Sequence, residues 1–120
     1  MKILATSSGK TLDSAIDPRF GRAAFFLLVD TATGEVQVHD NVQNLQAPQG
    51  AGIQSAQTAS RLGAEIVLTG HCGPKAFHIL RTAGIKVVVG ARGTVNEALE
   101  SLRKGEIQPS ERPDVEGHWS

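Results

Sequence analysis

The sequence predicts a single α/β domain built on a mixed five-stranded sheet. Three observations lead there. The first half alternates short apolar runs with turn residues and offers no helical pattern before residue 50. The second half alternates helix-period stretches with short apolar strands, as βαβ units do. Hydrophobic content of 40% and charged content of 20% over 120 residues suit one ordinary globular core.

The elements follow in chain order. Lys2 to Thr6 forms the first strand, ended by Ser7, Ser8 and Gly9. A polar loop from Lys10 to Ala23 carries "DPRFGRA" at residues 17–23. "AFFLLVD" is a continuous apolar run, expected of a strand buried on both faces. "TATGE" is a hairpin turn, with Gly34 where unusual backbone angles are needed. "EVQVHDN" then alternates, with Val36 and Val38 on one face and Glu35, Gln37 and His39 on the other, which predicts a half-exposed edge strand.

Residues 41–60 hold no charged residue. A loop with Pro48, Gly50 and Gly52 leads into a helix that sets Ile53, Ala56, Ala59 and Leu62 on one face and stops at Gly63. "EIVLTG" is a short buried strand. Pro74 suits the first turn of a helix whose Ala76, Phe77, Ile79, Leu80 and Ala83 share one arc, with Lys75, His78, Arg81 and Thr82 opposite. Gly84 ends that helix, and "IKVVVG" is the next strand. Thr94 and Glu97 have capping-box spacing ahead of Val95, Ala98, Leu99 and Leu102, an amphipathic helix ending near Gly105. The domain therefore spans residues 1–105, and 106–120, with two prolines and mixed charges, is expected to be a loosely held tail.

This order predicts a sheet arranged 3-2-1-4-5 with strand 2 antiparallel, as in ribonuclease H-like domains. Strand 1 is central, and the chain crosses over it between strands 3 and 4. Open α/β sheets bind ligands at such a switch point, beyond the carboxyl ends of the strands. That edge gathers residues 7–10, the 41–52 loop, residues 70–73 and residues 90–94.

Several chemistries are excluded. Twelve basic residues balance twelve acidic ones, so bulk charge favours neither nucleic acid nor an anionic membrane. One cysteine rules out an internal disulfide, a thioredoxin-like pair and a multi-cysteine zinc site, and fits a reducing compartment. "MKILATSSGK" has only a three-residue apolar run, and the expected location is the cytoplasm. Magnesium-dependent nuclease chemistry needs carboxylates on the sheet, and "KILAT" and "IVLTG" hold none. A cysteine phosphatase loop needs an arginine six positions after the cysteine, where this chain has His78.

Anion or cluster binding remains. "TGHCGPKAF" places His71 and Cys72 just before a helix whose free amides and dipole favour negative charge and a thiolate. Ser8, Lys10, Arg19, Arg22, Gly70, Gly73, Lys75 and Arg92 would surround them as amides, hydroxyl and cations. Such a cup suits a bulky, soft, anionic guest better than a hard cation. The residues alone leave Cys72 open between ligand and small buried side chain, and His71 between ligand and hydrogen-bonded loop residue. His39 and His78 read as solvated, and His118 and Trp119 as part of the tail.

"DPRFGRAAFFLLVD", the glycine-containing loop before the first helix, "IVLTGHCGPKAFHIL" and "AGIKVVVGARGTVNEAL" occur together and in order. With them the chain resembles the dinitrogenase iron–molybdenum cofactor biosynthesis family over residues 2–104. The resemblance implies a ribonuclease H-like fold without nuclease activity. It further implies a non-enzymatic carrier for a molybdenum-containing metal–sulfur cluster, with cluster-assembly proteins as partners. Small stand-alone members from sulfate reducers hold a molybdenum–copper sulfide cluster non-covalently, and this chain has their size. The matching positions are 19–22 and Gly70, Gly73 and Pro74. His71 and Cys72, as metal ligands, are an inference from this sequence. A metal-free scaffold or regulatory module that binds a partner protein is the alternative, followed by a small-anion or nucleotide binder.

Overall fold

The structure, a computed structural model, describes residues 1–41 and 50–113. Among the described residues five strands and three helices follow in the order the sequence predicts. The strands are β1 (Lys2–Ser7), β2 (Phe25–Asp30), β3 (Val36–Asp40), β4 (Ile66–Leu68) and β5 (Lys86–Val88). The helices are α1 (Ala51–Arg61), α2 (Pro74–Thr82) and α3 (Val95–Arg103).

The sheet order is β3-β2-β1-β4-β5, as expected. β2 is antiparallel to both neighbours, with Ser7 opposite Phe25 and Phe25 opposite Asp40. β3 therefore runs with β1, as β4 and β5 do. The hairpin between β2 and β3 turns at Gly34, whose φ of 80° lies where a side chain would be strained. Strands β1, β3, β4 and β5 all end at one edge, and the chain leaves that edge to begin each helix.

Side chains alternate across the strands and give two apolar layers. Leu4, Phe26, Leu28, Val67 and Val87 meet Ala56 and Ala59 of α1 and Ala76, Phe77 and Leu80 of α2. On the other face Ile3, Ala5, Leu27, Ile66, Leu68 and Val88 lie under Val95 and Ala98 of α3, and Ile16 joins them from the loop after β1. Each fully buried leucine, valine or phenylalanine contributes about 1.5–3 kcal/mol, so these layers hold the domain together.

Three details differ from the sequence reading. β4 and β5 are shorter than their apolar runs, because the residues after Leu68 and Val88 turn into the carboxyl-edge loops. The buried face of α1 is Ala51, Gly52, Ser55, Ala56 and Ala59, rotated from the predicted one. Ile53 stays half-exposed because Ser55 turns inward to bond the Gly21 carbonyl at 3.2 Å. On α2, Ala83 is exposed rather than part of the apolar arc. The capping box at Thr94 and Glu97 forms as the spacing predicts. Beyond α3, Ile107 packs on the second layer and the Ser110 amide bonds the Val87 carbonyl at 2.7 Å. His118 and Trp119 and most of the 41–52 loop lie outside the described residues.

Candidate functional site at the carboxyl edge

The site is organised by the loop between β1 and β2. After Ser7 the chain doubles back beside β1: the Ser8 amide bonds the Ala15 carbonyl at 2.9 Å, and the Asp17 amide bonds the Thr6 carbonyl at 3.0 Å. The Ile16 amide donates to Gly93 at 2.8 Å and the Val95 amide to Ser14 at 2.9 Å, which sews the loop to the start of α3.

Residues 17–24, "DPRFGRAA", then form an arginine loop whose backbone is tied along most of its length. Asp17 is 8% exposed. Its Oδ1 accepts from the Arg19 amide at 3.1 Å and its Oδ2 from the Ala24 amide at 3.3 Å. The Thr6 hydroxyl donates to the Asp17 carbonyl at 2.7 Å and lies 2.8 Å from the Thr69 hydroxyl. Phe20 is buried and its ring stacks on Phe26 at 6.0 Å between centroids. The Gly21 carbonyl accepts from Asn41 Nδ2 and from Ser55 Oγ, both at 3.2 Å, and Asn41 Nδ2 also bonds the Ala23 carbonyl at 2.9 Å. Asn41 and Ser55 are themselves buried, so these bonds satisfy groups that water cannot reach.

The loop meets the β4–α2 connection directly. The His71 amide donates to the Pro18 carbonyl at 2.7 Å, and the Phe20 amide to the His71 carbonyl at 3.2 Å. These two bonds form a short parallel bridge in which Arg19 stands opposite His71. Paired residues in such a bridge project on the same side, so the Arg19 and His71 side chains leave the backbone towards the same surface. Gly70 makes the approach possible: a Cβ there would lie 2.8 Å from Pro18 Cα and 2.9 Å from the Pro18 carbonyl oxygen.

Cys72 takes the opposite direction from His71. It is 1% exposed and packs in the core layer with Leu4, Phe20 and Phe77. Its Sγ lies 3.8 Å from the Gly73 carbonyl oxygen. A thiol there packs as a small apolar group. The expected pair of ligands therefore meets a structure in which His71 is half-exposed and Cys72 is in the core. Successive residues of an extended segment point to opposite sides, and that alternation separates them.

Gly73 is the N-cap of α2 and Pro74 its first residue, and no side chain caps this end. Gly50 caps α1 likewise without a side-chain bond, and neither helix has an acidic residue in its first turn. Both helices thus present backbone amides and positive dipole ends at the carboxyl edge.

The other expected residues share this edge. Lys10 has its Nζ 5.7 Å from the centroid of the Phe25 ring. Lys75 is exposed in the first turn of α2, and Arg92 is exposed on the loop into α3. The Ser8 hydroxyl is turned onto the Ala15 carbonyl at 3.1 Å. Asp40 is the exposed acidic residue ending β3. Among the described residues no group of three or more His, Cys, Asp or Glu is placed to hold a metal ion. Sequence reasoning missed Asp17, Asn41 and Ser55. A signal existed in the Asp-Pro pair, which commonly opens a turn by bonding amides downstream.

A family model, dinitrogenase iron-molybdenum cofactor, matches residues 1–105. The chain belongs to this family. Among solved structures, it is similar to the apo form of the orange protein from Desulfovibrio gigas. That match has 42% identity and a TM-score of 0.91, and covers 95% of this chain and 96% of the other. A candidate NifB protein from Thermotoga, of the DUF35 family, is 30% identical with a TM-score of 0.80, covering 95% and 98% of the two chains. An uncharacterized protein of Methanocaldococcus jannaschii is 24% identical over 101 residues, 82% of this chain and 86% of its own. The family ties the chain to cofactor or cluster biology.

Proposed function

We propose that the protein is a non-enzymatic carrier that holds an anionic, molybdenum-containing metal–sulfur cluster at the carboxyl edge of its sheet. The observation that carries this reading is the bridge setting Arg19 beside His71, next to the uncapped start of α2. Cation, imidazole and free helix amides then converge on one surface, the combination that captures a negative guest.

A sulfide cluster arrives with its metals already coordinated by sulfur. It needs charge, amides and shape from the protein rather than a set of thiolates. Arg19, Arg22, Lys10, Lys75 and Arg92 would supply the charge, and the amides at Gly73 and Lys75 would face sulfide. Gly70 lets the Pro18 backbone come close, which seats the arginine loop against this edge. Among the described residues of this edge, half-exposed His71 would offer the guest an imidazole nitrogen, and Cys72 supports the wall from inside. The molybdenum–copper sulfide form is the one implied by the stand-alone members, and the structural likeness to the orange protein supports it. Among the described residues no helix is long and apolar enough to cross a membrane. The proposed setting is the cytoplasm, with cluster-assembly proteins as partners in loading or delivery.

A metal-free partner-binding role has a separate observation behind it. An apolar groove of about 540 Å³, lined by Met1, Ile3, Ile66, Leu99 and Leu102, lies at the amino edge, away from the arginine loop. One titration separates the readings. Reduced protein, without oxygen, receives tetrathiomolybdate with and without copper(I) while visible absorption is followed. The carrier reading predicts a saturable coloured complex that co-elutes with the protein in gel filtration. Absence of any saturable complex would refute it and move partner binding ahead.

A further inference from the structure

We propose that Asp17 is a positioning residue, whose buried carboxylate fixes the arginine loop in its receiving conformation before the anion arrives. The inference rests on the anion-capture reading of this edge and adds to it the device that shapes the receptor.

A carboxylate beside an anion site lowers the local positive potential, so its presence there serves something other than charge. Its geometry says what. The two oxygens of Asp17 receive the amides of Arg19 and Ala24, which bracket the segment holding both arginines. Hydrogen bonds to an ionised acceptor are stronger than neutral ones, so two of them, at 3.1 and 3.3 Å, together clasp the turn. Arg19 Nε lies 4.0 Å from Oδ1, so the same carboxylate also stands at the base of the Arg19 side chain.

Two further tethers act on the loop, one within the clasp and one just ahead of it. The Gly21 carbonyl, between Arg19 and Arg22, is held by Asn41 and Ser55 from two other parts of the chain. Pro18 is seated against Gly70 and bonded to the His71 amide. Ordering of the loop is therefore completed on folding instead of on binding, which strengthens capture without a new contact to the guest. A buried ionised group requires such partners, and removal of its charge leaves the two amides competing for what remains.

The test uses Asp17→Asn, which keeps the size and one acceptor but sets an NH₂ where an amide must be received. Amide hydrogen exchange is measured at Arg19 and Ala24, below the melting temperature of both proteins. These amides should be protected in wild type and exchange about tenfold faster or more in the variant, while β1 amides stay protected. Tetrathiomolybdate with copper(I) should bind about tenfold more weakly to Asp17→Asn. In an Arg19→Ala background the same substitution should cost about threefold or less, because Asp17 acts through the arginines.

A purely structural role would lower stability without that coupling. Unchanged affinity in Asp17→Asn, or an equal loss in both backgrounds, would overturn the positioning role and leave anion capture standing. Unprotected Arg19 and Ala24 amides in wild type would also overturn it. A wild-type protein that binds no thiometallate would instead remove the anion-capture reading, and the positioning role with it.

Discussion

Gly70→Ala perturbs the point where the arginine loop and the β4–α2 connection touch. The added Cβ would stand 2.8 Å from Pro18 Cα, 2.9 Å from the Pro18 oxygen and 3.2 Å from its carbonyl carbon. All three are backbone atoms, so no side chain can swing aside. Overpacking of this kind costs about 1–3 kcal/mol. The strands of backbone must separate, which strains the bonds His71 N–H to Pro18 and Phe20 N–H to His71. Partial loss of that pair adds about 1 kcal/mol, for a total of about 2–4 kcal/mol. In a domain of this size the melting temperature should fall on the order of 10 °C. Thermal and urea unfolding followed by circular dichroism would measure it. Gly84→Ala is the control: its φ is +79° but nothing lies within 4 Å of the new Cβ, so only backbone strain of about 1–2 kcal/mol applies. If Gly70→Ala melted within about 2 °C of wild type, or above Gly84→Ala, the close approach at Pro18 would be refuted.

Other outcomes follow from the same structure. Thr94→Ala removes the hydroxyl that accepts from the Glu97 amide at 3.1 Å and should destabilise the protein by about 1 kcal/mol in urea unfolding, without affecting thiometallate binding. Cys72 should react with a thiol reagent at a rate limited by opening of the structure, and at full speed in denaturant. Cys72→Ala should keep thiometallate binding while losing about 1 kcal/mol of stability to the small cavity it leaves, whereas a thiol that ligates the cluster would give the opposite pattern.

Much of this architecture was legible because local rules and global fold agree. The apolar runs from β1 to β5, the meander followed by βαβ units, and punctuation by Gly34, Pro74, Gly84 and the Thr94–Glu97 box each have a short-range physical cause. The carboxyl edge followed from strand order alone. What escaped depends on pairs far apart in sequence. Asp17 reads as one more charge in a polar loop, yet it is buried because the amides it receives arrive only when the loop closes. Asn41 and Ser55 converge on Gly21 from 20 and 34 residues away. Ser55 thereby turns α1 away from the face its apolar residues suggest. Cys72 and His71 share a motif, but the alternation that buries one and exposes the other is set by the bridge to Arg19.

The central claim is that an anionic cluster is captured by a preformed cationic and amide-lined edge. Its most direct test is the stoichiometry and salt dependence of thiometallate–copper binding to wild type and to Arg19→Ala/Arg22→Ala, by metal analysis after anaerobic gel filtration. The account predicts a defined complex with wild type that weakens as salt rises. It predicts a complex at least about tenfold weaker, with a shallower salt dependence, in the double variant. Equal retention by both proteins at every salt concentration would contradict it.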